Sequence, residues 1–276
     1  MIISNFIISR SFIKIASICF LCVIFLNSIS LTGQEKILCK EVDSIKLFIE
    51  TYYPTHFNSE KTYPAMVFFF GGGWVSGNRT QFLQQAKDLS QEGIICFLAD
   101  YRIKSKHLST PFESLKDAKS VMRFIRKNTS ELSVNPNQII GSGGSAGAQL
   151  AAVTALAEGY NEAGEDLAVS PKPNALVLFN PVIDNGPGGF GYNLIGEDYL
   201  FFSPLHNIKK GAPPTIIFLG TQDQYISIET IKYYATVMEK VNSLCVLKIY
   251  EGQNTGSSIL ITKNIFKKHW KRLYYF

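Results

Sequence analysis

The sequence predicts an α/β domain built on a mostly parallel central sheet with helices on both faces. Three observations carry this. Apolar runs of strand length recur between residues 44 and 250, with segments of helical spacing between most of them. The central runs, such as 65–70 (AMVFFF), are apolar throughout, as strands covered on both faces must be. Strand and helix alternate along the chain, which gives parallel pairing through crossover connections.

Residues 44–50 (SIKLFIE) alternate apolar and polar and predict a half-buried strand. Residues 65–70 follow as a central strand. Residues 81–91 predict a helix ended by Gly93, and 94–99 another buried strand. Apolar residues at helical spacing over 112–127 predict a helix. A short strand at 138–141 leads into a helix from 146 to about 158. Runs at 175–179, 215–219 and 246–250 complete the strands, with a helix at 228–241 between the last two. Segments 158–174 and 183–212 are rich in Gly, Pro and Asn, and loops of that length in a compact domain serve as lids or rims. No internal repeat and no linker divides this body.

With 46% hydrophobic and 18% charged residues, the chain has the apolar surface that disordered proteins lack. Its 276 residues suit one large domain or two small ones. A net charge of +5 is too small to argue for nucleic acid. All of that excess sits at the ends, and the body between them is −2. Residues 1–33 hold Arg10 and Lys14 and no acid; residues 257–276 hold Lys263, Lys267, Lys268, Lys271 and Arg272 and no acid.

At the N-terminal end, Arg10 and Lys14 precede an uncharged run from Ile15 to Leu26, shorter than the roughly 20 apolar residues of a membrane span. Small residues (Ser28, Ser30, Gly33) and then Glu35-Lys36 follow. This is the layout of a secretory signal peptide over 1–33, cleaved between Ser28 and Gln34, with the domain at 34–276 and a periplasmic or extracellular destination. An uncleaved anchor or a misassigned start is the alternative. Cys19 and Cys22 lie in the removable part without a lipoprotein pattern. Cys39, Cys96 and Cys245 remain, an odd number that allows no full disulfide framework.

Residues 143–147 read Gly-Gly-Ser-Ala-Gly, a G-x-S-x-G pattern centred on Ser145. A sharp strand-to-helix turn strains the serine, and the small neighbours let backbones pass closely. The helix behind it favours the negative charge that develops in acyl transfer. A glycine-rich turn alone would explain the pattern less well, because a short strand precedes it and an Ala-rich helix follows. A phosphate loop is disfavoured, since no Lys-Ser/Thr follows the glycines. Phe70-Gly71-Gly72-Gly73-Trp74 directly follows a buried strand. A tight turn needs one glycine; three suit backbone N–H groups that approach a ligand closely. The donors of an oxyanion hole are then Gly71, Gly72 and Ala146. Asp223 in Gly220-Thr221-Gln222-Asp223 follows the 215–219 strand, where an acid can orient a catalytic imidazole. It could equally cap the next helix. No His/Cys cluster and no dinucleotide fingerprint implies a metal or nucleotide cofactor.

Together these residues resemble the α/β-hydrolase superfamily, in its secreted acetylesterase and lipase-like group, which includes hormone-sensitive-lipase-like and carbohydrate-esterase families. The resemblance covers about residues 40–256. It is carried by FFFGGGW at 68–74, Asp100-Tyr101-Arg102, GGSAG at 143–147, FNPVIDNGPGG at 179–189, SPLHNI at 203–208 and GTQD at 220–223. Phe70 stands where relatives often have His. The resemblance implies the α/β-hydrolase fold and ester hydrolysis through an acyl-Ser145 intermediate.

It also implies a base that this chain lacks. Relatives follow the last strand with a phrase like Tyr-Glu-Gly-Gln-x-His-Gly-Phe; here Tyr250-Glu251-Gly252-Gln253 is followed by Asn254, Thr255 and Gly256, so Thr255 occupies the histidine position. A threonine hydroxyl takes no proton from serine near neutral pH. His56, His107 and His206 read as surface or structural residues. His269, in the basic tail, is a substitute only if the tail folds back over the site. The genetic code offers an account. Asn254 to Ile259 can be written AAC ACG GGT TCT TCA AT, and from the third base the same letters read His-Gly-Phe-Phe-Asn. One lost base would place residues 254–276 out of frame and explain the acid-free tail; a genuinely diverged C-terminus is the alternative.

The leading expectation is a serine esterase for short acyl or acetyl esters, with a small-molecule or carbohydrate alcohol, no nucleic-acid partner and no membrane span after signal cleavage. The second is a non-catalytic ester- or sugar-binding relative, and the third a peptidase of the same fold. Losing a triad histidine costs on the order of a million-fold in turnover while binding persists.

Overall fold

The computed structural model describes residues 34–256. Among them eight strands form one sheet: β1 (Glu35–Val42), β2 (Ile45–Tyr52), β3 (Tyr63–Phe69), β4 (Ile95–Ala99), β5 (Val134–Gly144), β6 (Ala175–Phe179), β7 (Thr215–Gln222) and β8 (Cys245–Asn254). Their order is β1-β2-β4-β3-β5-β6-β7-β8. From β4 onward all neighbours are parallel; β2 runs antiparallel to both β1 and β4. The longer helices are α1 (Leu83–Gln91), α2 (Pro111–Lys127), α3 (Ala146–Leu156) and α4 (Ile228–Lys240).

Two-residue alternation along the strands feeds two cores. Ala65, Val67 and Phe69 of β3 join Leu115 and Val121 of α2, Leu150 of α3 and Tyr234 of α4. Met66 and Phe68 face the other way, with Phe179 and Phe218, onto Phe82, Ala86 and Leu89 at α1. A sheet covered on both faces explains why its central strands carry no polar alternation.

The strand β1 has no counterpart in the sequence reading. Glu35, Lys36, Lys40 and Glu41 break up its apolar residues, which an edge strand tolerates and which discourages further pairing. Three strands also run further than their apolar runs. Gly143 and Gly144 of β5 pair with Phe69 and Phe179, and Gln222 of β7 pairs with Asn254 of β8. Backbone bonds extend the sheet there regardless of side chain, and they do so at the end where Ser145 lies.

The loop 158–174 is tied to the body. Lys119 donates to the carbonyls of Ala157 and Gly159 at 2.8 and 2.6 Å, and Arg123 reaches Asn161 and Glu165. Among the described residues no helix is long and apolar enough to cross a membrane. The expectations for residues 1–33 and for 257–276, including His269, lie outside the described residues.

Candidate active site

Ser145 sits at the turn from β5 into α3 with φ 52° and ψ −120°. For a residue with a Cβ this conformation costs on the order of 1–3 kcal/mol and needs support from its surroundings. The support is visible. Ser145 donates its N–H to the Phe179 carbonyl at 2.9 Å, and its carbonyl accepts from Gln149 and Val182. The flanking glycines are steric necessities: a Cβ on Gly147 would lie 2.2 Å from the carbonyl oxygens of both Phe69 and Phe70, and one on Gly143 would lie 2.5 Å from that of Phe69.

The glycine loop passes directly over this turn. A Cβ on Gly71 would meet the Gly144 carbonyl at 2.8 Å and Ser145 Cβ at 3.4 Å. Gly72 (φ +130°) and Gly73 (φ +62°) take conformations that favour glycine, and the Gly72 carbonyl accepts from Val75 and Ser76 to close the turn. Gly71 does not offer its N–H to the site: it donates to Oε1 of Gln81 at 2.6 Å. Of the three predicted donors, Gly72 and Ala146 therefore keep an N–H without a protein partner among the described residues. Phe70 stacks on Tyr101 at 4.1 Å, and the Tyr101 hydroxyl donates to the Phe70 carbonyl at 2.6 Å. An aromatic contact thus holds the loop where relatives often carry histidine.

Ser145, Gly71, Gly72, Gly73 and Thr255 line one cavity of about 710 Å³, whose rim includes Phe190, Leu194 and Tyr225. The loop 183–212 supplies part of that rim, but 158–174 does not reach it, which removes one of the two expected lids. Tyr225 stands 63% exposed at the mouth with its ring edge-on to Phe190. Neither Gln81 nor Tyr225 carried a local signal in the sequence, because each acts through contacts with a distant loop.

Asp223 and Thr255 leave β7 and β8 side by side, just past the Gln222–Asn254 pair. Gly220 makes this possible, since a Cβ there would lie 2.2 Å from the Gln253 carbonyl. Asp223 does not cap α4; Ser227 does, accepting from Glu229. Instead, Oδ1 of Asp223 accepts from the N–H groups of Tyr225 and Ile226, both at 2.9 Å, while Oδ2 is buried without a hydrogen-bond partner. Asp223 is not among the cavity walls. Thr255 is, and its Oγ1 accepts from Gln224 N at 3.3 Å.

None of the described histidines lines the cavity. His107 Nδ1 accepts from Ile103 N at 3.0 Å, and His206 packs edge-on against Tyr199, 3.9 Å from Asp184. The Asp100-Tyr101-Arg102 segment is scaffold. Asp100 pairs with Arg79 at 2.7 Å, and Arg102 binds Asp117 through two nitrogens at 2.8 and 2.9 Å. Cys39, Cys96 and Cys245 are free thiols.

The model of the BD-FAE family matches residues 49–187. An acetylxylan esterase of Xylanibacter ruminicola is 28% identical over 67% of this chain and 39% of its own length. A probable isoprenylcysteine alpha-carbonyl methylesterase of Arabidopsis thaliana is 28% identical over 74% of this chain and 47% of its own. The chain spans about half the length of the curated relatives it matches. Among solved structures, esterase 2 of Thermogutta terrifontis, in a form phosphoramylated by tabun, superposes with a TM-score of 0.80 at 34% identity, over 86% of this chain and 95% of that one. With the sheet order, the strained serine turn and the glycine loop in place, the chain belongs to the BD-FAE family of the α/β-hydrolase superfamily.

Proposed function

We propose that this protein is a serine carboxyl-ester hydrolase for short acyl esters, built to work through an acyl-Ser145 intermediate, whose chain as written lacks its general base. The observation that carries the reading is Ser145 itself, held at φ 52° on the wall of a cavity shared with the glycine loop. Gly72 and Ala146, and with them Gly73, supply N–H groups toward a developing oxyanion, and Asp223 is the acid that would orient an imidazole at position 255. Carbohydrate acetates are one candidate substrate, supported by the acetylxylan esterase relative. A signal peptide over residues 1–33 would export the protein.

A second reading, a binding protein that keeps the pocket, draws on Thr255, which sits in the cavity wall and offers no basic nitrogen. Hydrolysis of p-nitrophenyl acetate by the chain and by Thr255→His separates the two. A gain of ~10³-fold corresponds to about 4 kcal/mol of transition-state stabilisation and supports the esterase. A soluble, folded and inactive Thr255→His supports the binder.

The out-of-frame reading of residues 254–276 belongs to the same proposal, and part of it needs no choice of codon. Read from third bases, the codons of Ile265 and Phe266 give Phe, Leu or Ile, and those of His269 and Trp270 give Leu, four positions later. Trp270 and Lys271 give Glu, and the junctions Lys263–Asn264 and Lys267–Lys268 give Lys or Glu. That is an apolar pair at helical spacing among acids and bases, which suits an amphipathic helix. The sheet face formed by Met66, Phe68, Phe179 and Phe218 has a use for one, since α1 is the helix packed there among the described residues. Independent nucleotide reads across codons 250–260 decide between a lost base and a diverged terminus.

A further inference from the structure

We propose that the cavity beside Ser145 is a binding site for a small neutral imidazole from solution, which supplies the proton transfer that Thr255 does not. The inference rests on the reading of Ser145 as a nucleophile given above.

Three features define the site. Ser145 and Thr255 are walls of one cavity of about 710 Å³, ample for a five-membered ring beside a short ester. The carboxylate of Asp223 is fixed in place, because Oδ1 accepts from two N–H groups at 2.9 Å. Its Oδ2 is buried and has no hydrogen-bond partner. A buried acceptor without a donor is a standing cost that an incoming N–H relieves. Asp223 is not itself a cavity wall; Thr255, which is, is held to the Asp223 loop by one long bond from Gln224 N at 3.3 Å and is followed by Gly256. A short side chain on such a tether yields to a ring that gives its N–H to Oδ2 and turns its other nitrogen to Ser145.

The chemistry closes on itself. The unprotonated ring nitrogen takes the Ser145 Oγ proton as the Oγ–carbon bond forms, and returns it to the alcohol oxygen as the ester C–O bond breaks. In the second half it takes a proton from the water that attacks the acyl carbon. That proton goes back to Oγ as the acyl–Oγ bond breaks. The acid and alcohol leave, and the ring is unchanged.

The experiment measures p-nitrophenyl acetate turnover by the full chain against imidazole concentration at constant pH and ionic strength. Ser145→Ala serves as the background for direct reaction of imidazole with the ester. The expected result is a saturable gain of ~10²-fold, the usual scale of general-base catalysis. Asp223→Asn, which keeps the shape of the carboxylate, should lose most of it. Thr255→Gly, which makes more room, should reach half-saturation at lower imidazole. Rates that rise linearly with the same slope as Ser145→Ala overturn the site. If Thr255→His is then active, the esterase reading stands and only the imidazole site fails. If Thr255→His is inactive as well, both fall together.

Discussion

The N–H of Gly71 points at Oε1 of Gln81, 2.6 Å away, so an exposed side chain holds a buried backbone donor on the loop that crosses Ser145. This contact sets the plane of the Gly71 peptide and so aims the next one. Losing the acceptor leaves a buried N–H unpaired, which costs about 1–3 kcal/mol. Gln81→Leu should therefore unfold at lower urea, while Gln81→Glu, which keeps an acceptor, should lose little. Equal midpoints for the leucine variant and the parent protein would mean that the loop does not depend on Gln81.

Gly147 makes a sharper case. Its missing Cβ is the space through which β3 passes, with two carbonyl oxygens 2.2 Å from where a methyl would be. Gly147→Ala must push the strand or the nucleophile turn aside, and overpacking of this kind costs typically ~1–3 kcal/mol or more. The variant should be destabilised in urea, and in the Thr255→His background it should also lose reactivity at Ser145 toward an organophosphonate. A variant with native stability and native labelling would show that the turn has slack the present geometry denies.

How far the sequence leads follows from what each residue does locally. The central strands are legible because burial on both faces leaves continuous apolar runs. Ser145 and the glycine loop are legible because close backbone approach admits only small residues. The edge strand β1 is not, since Lys36, Lys40 and Glu41 serve solvent and ion pairs rather than a core. The continuation of β7 and β8 to Gln222 and Asn254 is not, because it rests on backbone pairing that any side chain permits. Gln81 escapes for a third reason: its role is defined by a loop ten residues away, and nothing about a lone glutamine marks it.

The thiols give a prediction with a sign. Burial is the main cause that pushes Cys39 and Cys245 up to about 12. The folded thiolate fraction is then ~10³-fold below that of an ordinary cysteine at mildly alkaline pH. Reaction with a disulfide reagent at pH 8 should be slow at these two thiols in the folded protein and fast in guanidinium. Because these groups hold their protons more tightly when folded, their contribution to stability is complete below the ordinary thiol range and falls as pH rises toward 12. Rapid labelling of native protein at Cys39 or Cys245 would contradict this burial.

The last prediction concerns Asp117, which is fully buried in the middle of α2. Its carboxylate accepts from Arg102 through two side-chain nitrogens and the backbone N–H, and from Lys40 at 2.6 Å; Glu162 joins both cations from the other side. The cluster ties the edge strand, the segment after β4 and the loop 158–174 to one helix. Pairing among buried charges adds little over a well-packed apolar core, but removing one partner leaves the others uncompensated, at about 3–5 kcal/mol. Asp117→Ala should therefore destabilise far more than loss of the exposed Lys232–Glu229 pair, whose partners sit in water. The loss should change little between low and high salt, since the charges lie away from the ions that screen them. Urea titrations of both variants at two ionic strengths check this. A small or strongly salt-dependent effect at Asp117 would mean that water already reaches Arg102 and Lys40.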